Sequence, residues 1–240
     1  MKPRTNQTYW DATSDEYQAT HGDVLTKTAL AWGVWRIPES ELGILGDVKN
    51  VRVLELGCGA AQWTLALRQN GARAVGVDLS ERQLHHARRA SKVIPLVQGN
   101  AEALPFQNDS FDLVFCDHGA TTFSRPQRTV AEAARVLRPN GRFAFCMSTP
   151  ILDMCWDSAT DTISPTLSSD YFSLSSLDDG KAVSYQLPYG AWIRLFREHS
   201  LIVDDLVELR PPEHASTTYS VPEDWARRWP AEHIWKLTKR

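Results

Sequence analysis

Between Arg52 and Met147, short apolar runs alternate with stretches that read as helices: "RVLELG", "RAVGVDL", "IPLVQG", "FDLVFCD" and "RFAFCM" are the runs. Strands this apolar must be covered on both faces, and connections of helical length join neighbours that run in parallel. The pattern predicts an α/β sheet with helices on both sides. Ala61 to Asn70 reads as the first helix of the alternation, stopped by Gly71. Ser80 is placed to cap the next, with Gln83 three residues on to complete a capping box. A helix from Gln127 to Leu137 ends at the stop Arg138-Pro139-Asn140-Gly141. Further on, "YGAWIRLFREHS" reads as a helix, while "LIVDDLVEL" and "HIWKLTK" read as strands. No helix-sized pattern separates those two strands, so they are free to pair antiparallel at the far side of the sheet.

A chain of 240 residues fits one domain with a decorated cap. The expected organisation is a single domain over 1–240: a cap over 1–50, a core over 51–147, and substrate-side insertions with a terminal strand pair over 148–240. Three segments stand outside the sheet pattern, at 1–50, 148–187 and 210–232. They carry Trp10, Trp32, Trp35, Trp156, Tyr171, Phe172, Tyr219 and Trp225. Such aromatics either cover an apolar pocket or pack on the core. A net charge of -3 supplies no basic surface for nucleic acid or anionic lipid. Cys58, Cys116, Cys146 and Cys155 form no C-x-x-C pair, which fits reduced, buried thiols. The first residues are too polar for a signal peptide and no apolar run is long enough to span a membrane, so a cytoplasmic location is expected.

The stretch "VLELGCGAAQW", from Val53, places two glycines at a strand-to-helix turn. A dinucleotide fingerprint wants a third glycine, but Gln62 stands there, and Glu55 precedes the first. A carboxylate is awkward beside a pyrophosphate and suits a ligand with a cationic amine. Asp78 ends the second run, about 20 residues on, where a carboxylate can accept from two ribose hydroxyls. Ribose, a cationic part and no phosphate describe S-adenosylmethionine. A nicotinamide-dependent oxidoreductase and a non-catalytic protein that keeps the cofactor fold are the alternatives.

The blocks "VLELGCGAA", "AVGVDLS", "GNAEALPF", "SFDLVFCD" and "ARVLRPNGRFAF" follow in order from about Val51 to Met147. In them the chain resembles the class I S-adenosylmethionine-dependent methyltransferases, especially the small-molecule branch known as methyltransferase type 11. The resemblance implies a Rossmann-like, seven-stranded, mostly parallel sheet whose last strand is antiparallel, with helices on both faces and an N-terminal helical cap. It implies that Glu55, Gly57 and Gly59 line the methionine end, that Asp78 binds the ribose, and that Leu79 lies against the adenine. Asn100 and Ala101 would meet the adenine edge, and Asp117 would lie beneath the sulfonium. Two positions depart from the family's pattern. Ala61 replaces a frequent glycine, which is tolerable if the residue has helical dihedrals. Asn100 replaces a frequent aspartate, which implies weaker binding.

The expected reaction is methylation of a small-molecule acceptor, at oxygen. His118, after the fourth run, is the candidate general base; its other reading is a ring that only packs against the cofactor. An Asp-His pair at this place also resembles the metal-dependent catechol-type enzymes, but "CMSTPIL" supplies no carboxylate, so no metal is expected. Arg210, Glu213, His214 and Tyr219 either form a pocket wall or belong to a solvated connection. Asp117-His118-Gly119-Ala120 is not the Asn/Asp-Pro-Pro-aromatic block of enzymes that methylate DNA amino groups. Phe115 before Cys116 excludes a Pro-Cys nucleophile, and no nucleic-acid partner is expected. The oligomeric state is not legible.

Overall fold

The computed structural model describes residues 6–157, 160 and 162–240. Seven strands form the main sheet: β1 (Arg52–Leu56), β2 (Arg73–Asp78), β3 (Leu96–Gln98), β4 (Phe111–Asp117), β5 (Leu137–Ser148), β6 (Leu201–Leu209) and β7 (Glu232–Lys239). Their spatial order is β6-β7-β5-β4-β1-β2-β3. β1 is parallel to β2 and β4, β2 to β3, and β4 to β5. β7 is antiparallel to both β5 and β6, between which it is inserted. The mostly parallel sheet with an antiparallel last strand is thus present.

Apolar side chains alternate along these strands and fill a core on each face. Phe143 and Phe145 join Trp192, Phe196 and Trp235 on one face; Ala144 and Cys146 join Trp32, Trp63 and Phe115 on the other. All four cysteines are free and buried. Helices on the two faces are α2 (Gln62–Gln69), α3 (Glu81–Ala90), α4 (Ala120–Phe123), α5 (Pro126–Val136), α6 (Pro150–Cys155) and α7 (Tyr189–Glu198). Before the sheet come α1 (Asn6–Lys27), here called the cap helix, and a hairpin that pairs Ala31–Trp32 with Ile37–Pro38. Of the expected cap, residues 1–5 lie outside the described residues, as do 158, 159 and 161 of the 148–187 segment.

Strand order reverses between β1 and β4, so their following loops diverge and open a crevice at the strands' carboxyl ends. Here the two loops touch through backbone. Gly57 has φ +67°, and a Cβ on it would stand 2.4 Å from the Ala120 nitrogen. A Cβ on Gly119 would stand 2.5 Å from the Gly57 carbonyl oxygen. Neither position tolerates a side chain.

Three local expectations are corrected. Ala61 is not in helical dihedrals: it is the left-handed N-cap of α2, at φ 59° and ψ 33°. Its N–H closes a tight turn onto the Cys58 carbonyl at 2.7 Å, a conformation that costs a non-glycine residue about 1–2 kcal/mol. At α3, Ser80 does cap, accepting from the Gln83 N–H at 3.2 Å. The return bond of the capping box is not made, because Ser80 N–H donates to Asp78 and the Gln83 side-chain Oε1 accepts from Gln18 of the cap helix. Finally, Arg138-Pro139-Asn140-Gly141 ends α5 but lies within β5 as an irregularity: Phe111 pairs with Leu137, and Leu113 with Arg142.

Candidate functional site

The crevice leads into a cavity of about 340 Å³, and all nine residues expected from the sequence to bind or react line it: Glu55, Gly57, Gly59, Asp78, Leu79, Asn100, Ala101, Asp117 and His118. Glu55, at the end of β1, accepts from the backbone N–H of Thr64 at 2.8 Å and from the Thr64 hydroxyl. It thereby caps α2 from the sheet. Burial, with the Asp117 and Asp78 charges adding to it, outweighs the Thr64 bonds and pushes the Glu55 carboxyl up to about 8. Asp78, at the end of β2, accepts from Gly59 N–H and Ser80 N–H, both at 2.8 Å, one on each oxygen. That fixes the carboxylate and leaves each oxygen further lone pairs. Burial raises it to about 6 despite those bonds. The side-chain oxygen of Asn100 accepts from Glu102 N–H at 2.9 Å.

At the end of β4 the structure adds partners that the sequence did not signal. Asp117 accepts from Gly33 N–H at 3.0 Å, from the Arg36 guanidinium at 3.2 Å and from the Trp63 indole at 3.3 Å. Arg36 also donates to the carbonyls of Gly33 and Thr28 and to the Thr28 hydroxyl. The next residue, His118, has φ 56° and bonds through Nε2 to Glu232, the first residue of β7. The same Glu232 oxygen accepts from Val34 N–H at 2.8 Å, and its other oxygen is buried with no partner among the described residues. Burial pulls the His118 imidazole down. The Glu232 charge and hydrogen bond, with Asp117, outweigh it and hold the ring above the ordinary histidine value.

Asp117, His118 and Cys146 place three potential metal-ligating atoms within 4.8 Å of one another. Asp117 already accepts from three donors, and burial pushes the Cys146 thiol well above its ordinary value. The first carboxylate after β5, Asp153, accepts from Ser148 and Gln186, and burial raises it to about 6.

The roof is the cap helix, whose only buried residue is Ser14. Polar bonds hold it. Asn6 donates to the carbonyls of Phe123 and Val183 and accepts from Val183 N–H. Asp11 accepts from the Ser80 hydroxyl at 2.7 Å, and Asp15 pairs with Arg82 and His86. The Tyr17 and Tyr219 hydroxyls meet at 2.7 Å, and the His21 ring stacks on Tyr219. The proposed aromatic cover is therefore divided. Trp10 and Tyr219 line the cavity, Trp32 and Trp35 are core, and Phe172 is 87% exposed. Arg210, Glu213 and His214 are exposed, so Arg36 rather than Arg210 is the cation at the site.

The family of methyltransferase domains matches residues 54–145. That match spans the core of the sheet, and the chain has the fold of solved S-adenosylmethionine-dependent methyltransferases. It is 35% identical over 113 residues to a demethylmenaquinone methyltransferase of Lactococcus lactis, covering 44% of each chain. It is 35% identical over 152 residues to the enzyme of that name from Mycolicibacterium paratuberculosis, covering 62% of each. The chain therefore spans less than two thirds of the length of these relatives. Among solved structures, a putative S-adenosylmethionine-dependent methyltransferase from Listeria monocytogenes shares its fold, with a TM-score of 0.69 at 22% identity, over 84% of this chain and 97% of that one. Among the described residues, no helix is long and apolar enough to cross a membrane.

Proposed function

We propose that this protein methylates a hydroxyl oxygen of a small, largely apolar acceptor, with S-adenosylmethionine as methyl donor and His118 as general base. The observation that carries the reading is the convergence of a fixed, ribose-ready carboxylate at Asp78, an acidic group at Glu55 and an imidazole at His118 on one cavity. The residues fit the cofactor. Asp78 has lone pairs free for two hydroxyls, Glu55 suits an ammonium, and Leu79 and Ala101 offer apolar contact to a base. Bound there, S-adenosylmethionine supplies a methyl group on a cationic sulfur. The protein's part is to hold the acceptor oxygen in line, exclude water, and take the acceptor's proton. Positioning of this kind contributes about 7–11 kcal/mol. A base adds about 100-fold or more when the hydroxyl is not ionised near neutrality. The relatives named for demethylmenaquinone support a small-molecule acceptor.

Calorimetry tests the cofactor: S-adenosylhomocysteine should bind and NAD should not. Asp78→Ala should weaken binding by about 1–3 kcal/mol. Transfer of labelled methyl to a panel of phenols and hydroquinols tests the acceptor class. In His118→Gln, turnover should fall about 100-fold or more with cofactor affinity nearly unchanged. Intact turnover in that variant removes His118 from the reaction. Binding of NAD in preference to S-adenosylhomocysteine removes the cofactor assignment.

A further inference from the structure

Glu232 is 1% exposed, comes from the last strand of the sheet, and lies against a histidine 114 residues earlier in the chain. A buried carboxylate is costly to ionise unless donors surround it. Here Val34 N–H and the His118 ring supply two, both on the same oxygen. Space for the carboxylate exists because residue 33 is glycine. A Cβ on Gly33 would stand 2.7 Å from either Glu232 oxygen, and the residue is in the left-handed region at φ +67°. Gly33 N–H meanwhile donates to Asp117. One turn of the cap hairpin therefore holds both carboxylates that flank His118, with consecutive backbone N–H groups.

We propose that Glu232 is the positioning residue of His118: it holds the ring with Nε2 protonated and Nδ1 bare, and Val34 of the cap turn keeps Glu232 aimed. The proposal rests on the base reading of His118 given above. Its chemistry follows from the two ring nitrogens. A carboxylate beside Nε2 only accepts, so the neutral ring carries its proton there and Nδ1 is the lone pair left for the acceptor's O–H. When that proton arrives at Nδ1, the resulting imidazolium is stabilised by Glu232. The Nε2 proton stays on the ring throughout, and Glu232 is not protonated.

The groups around His118 set the sign of its titration. Glu232 and Asp117 favour the charged ring, while burial, Arg36 of the cap turn and His233 of β7 oppose it. Asp153 of α6 also faces it electrostatically, and the Cys146 thiol of β5 lies 3.7 Å from Nε2. Removing the Glu232 charge takes away the largest influence favouring the charged ring.

The experiment uses the whole chain labelled with 15N-histidine, in parent and Glu232→Gln forms. The amide keeps the Val34 bond and the side-chain shape and removes only the charge. In the parent, neutral His118 should show the Nε2–H tautomer and titrate above an ordinary histidine. In Glu232→Gln its midpoint should fall by about one pH unit or more. The ascending limb of kcat against pH should move down by the same amount, and the plateau should fall about tenfold or more. An unchanged midpoint and limb overturn the proposal, whatever happens to Tm. An Nδ1–H tautomer in the parent overturns it as well. The base reading fails separately: His118→Gln then keeps its turnover while the tautomer and the Glu232→Gln shift are still seen.

Discussion

Arg36 and Asp117 form an ion pair at 3.2 Å with each side chain only 8% exposed. The pair joins the cap hairpin to the carboxyl end of β4, so the cap is held to the reaction centre by a charge contact that solvent screens poorly. Breaking a buried pair from one side leaves the other charge uncompensated, which costs about 3–5 kcal/mol. Arg36→Met should therefore lower the urea midpoint strongly, and adding Asp117→Asn should recover part of the loss. A loss below about 1 kcal/mol in Arg36→Met would mean the pair behaves as an exposed one.

Cofactor binding should release a proton near pH 7. Glu55 is raised to about 8, so it is mostly neutral in the free protein, and a bound ammonium favours its carboxylate. The calorimetric enthalpy for S-adenosylhomocysteine should then vary with the ionisation enthalpy of the buffer. Equal enthalpies in phosphate and Tris refute the linkage. The same shift sets the stability of the free protein. A carboxyl raised above its unfolded value stabilises at low pH, and that contribution is lost as pH rises through the folded value. Asp78 and Asp153, both near 6, act in the same direction. The Tm of the ligand-free chain should fall between about pH 5 and 8.

Turnover is expected to survive thorough chelation, although Asp117, His118 and Cys146 lie close enough to share an ion. Asp117 already has three donors, one of them a guanidinium, and a cation would have to displace Arg36. Loss of activity with chelator and its recovery with zinc or magnesium would falsify this.

The cap helix should close down when cofactor binds. Ser14 is its one buried residue, and segments with little apolar burial open at low free-energy cost. Hydrogen exchange over residues 6–27 should slow with S-adenosylhomocysteine, while β4 and β5 stay protected in both states. Identical exchange in the cap helix with and without ligand argues against a lid.

Much of this site was legible because its parts are local. Glu55, Gly57, Gly59 and Asp78 sit at the ends of strands whose turns are written in neighbouring residues. Ala61 shows where local reading stops, since its left-handed φ comes from how the loop meets α2 and not from its side chain. Arg36 and Glu232 left no signal at all. Their partners are 81 and 114 residues away, and no spacing rule connects a hairpin turn to the first residue of a final strand. Gln83 was legible as a cap residue, but its side chain answers to Gln18, 65 residues earlier.

The bond from Val34 to Glu232 spans 198 positions, so its first end is synthesised long before its second. Until β7 emerges, β6 has no neighbour in the sheet, because β7 is its only partner. Until β7 is made, a sheet of the earlier strands would have an open edge and His118 no carboxylate behind it. Such an edge invites wrong pairing with other chains. The insertion of one strand closes that edge and completes the surroundings of His118 in the same event.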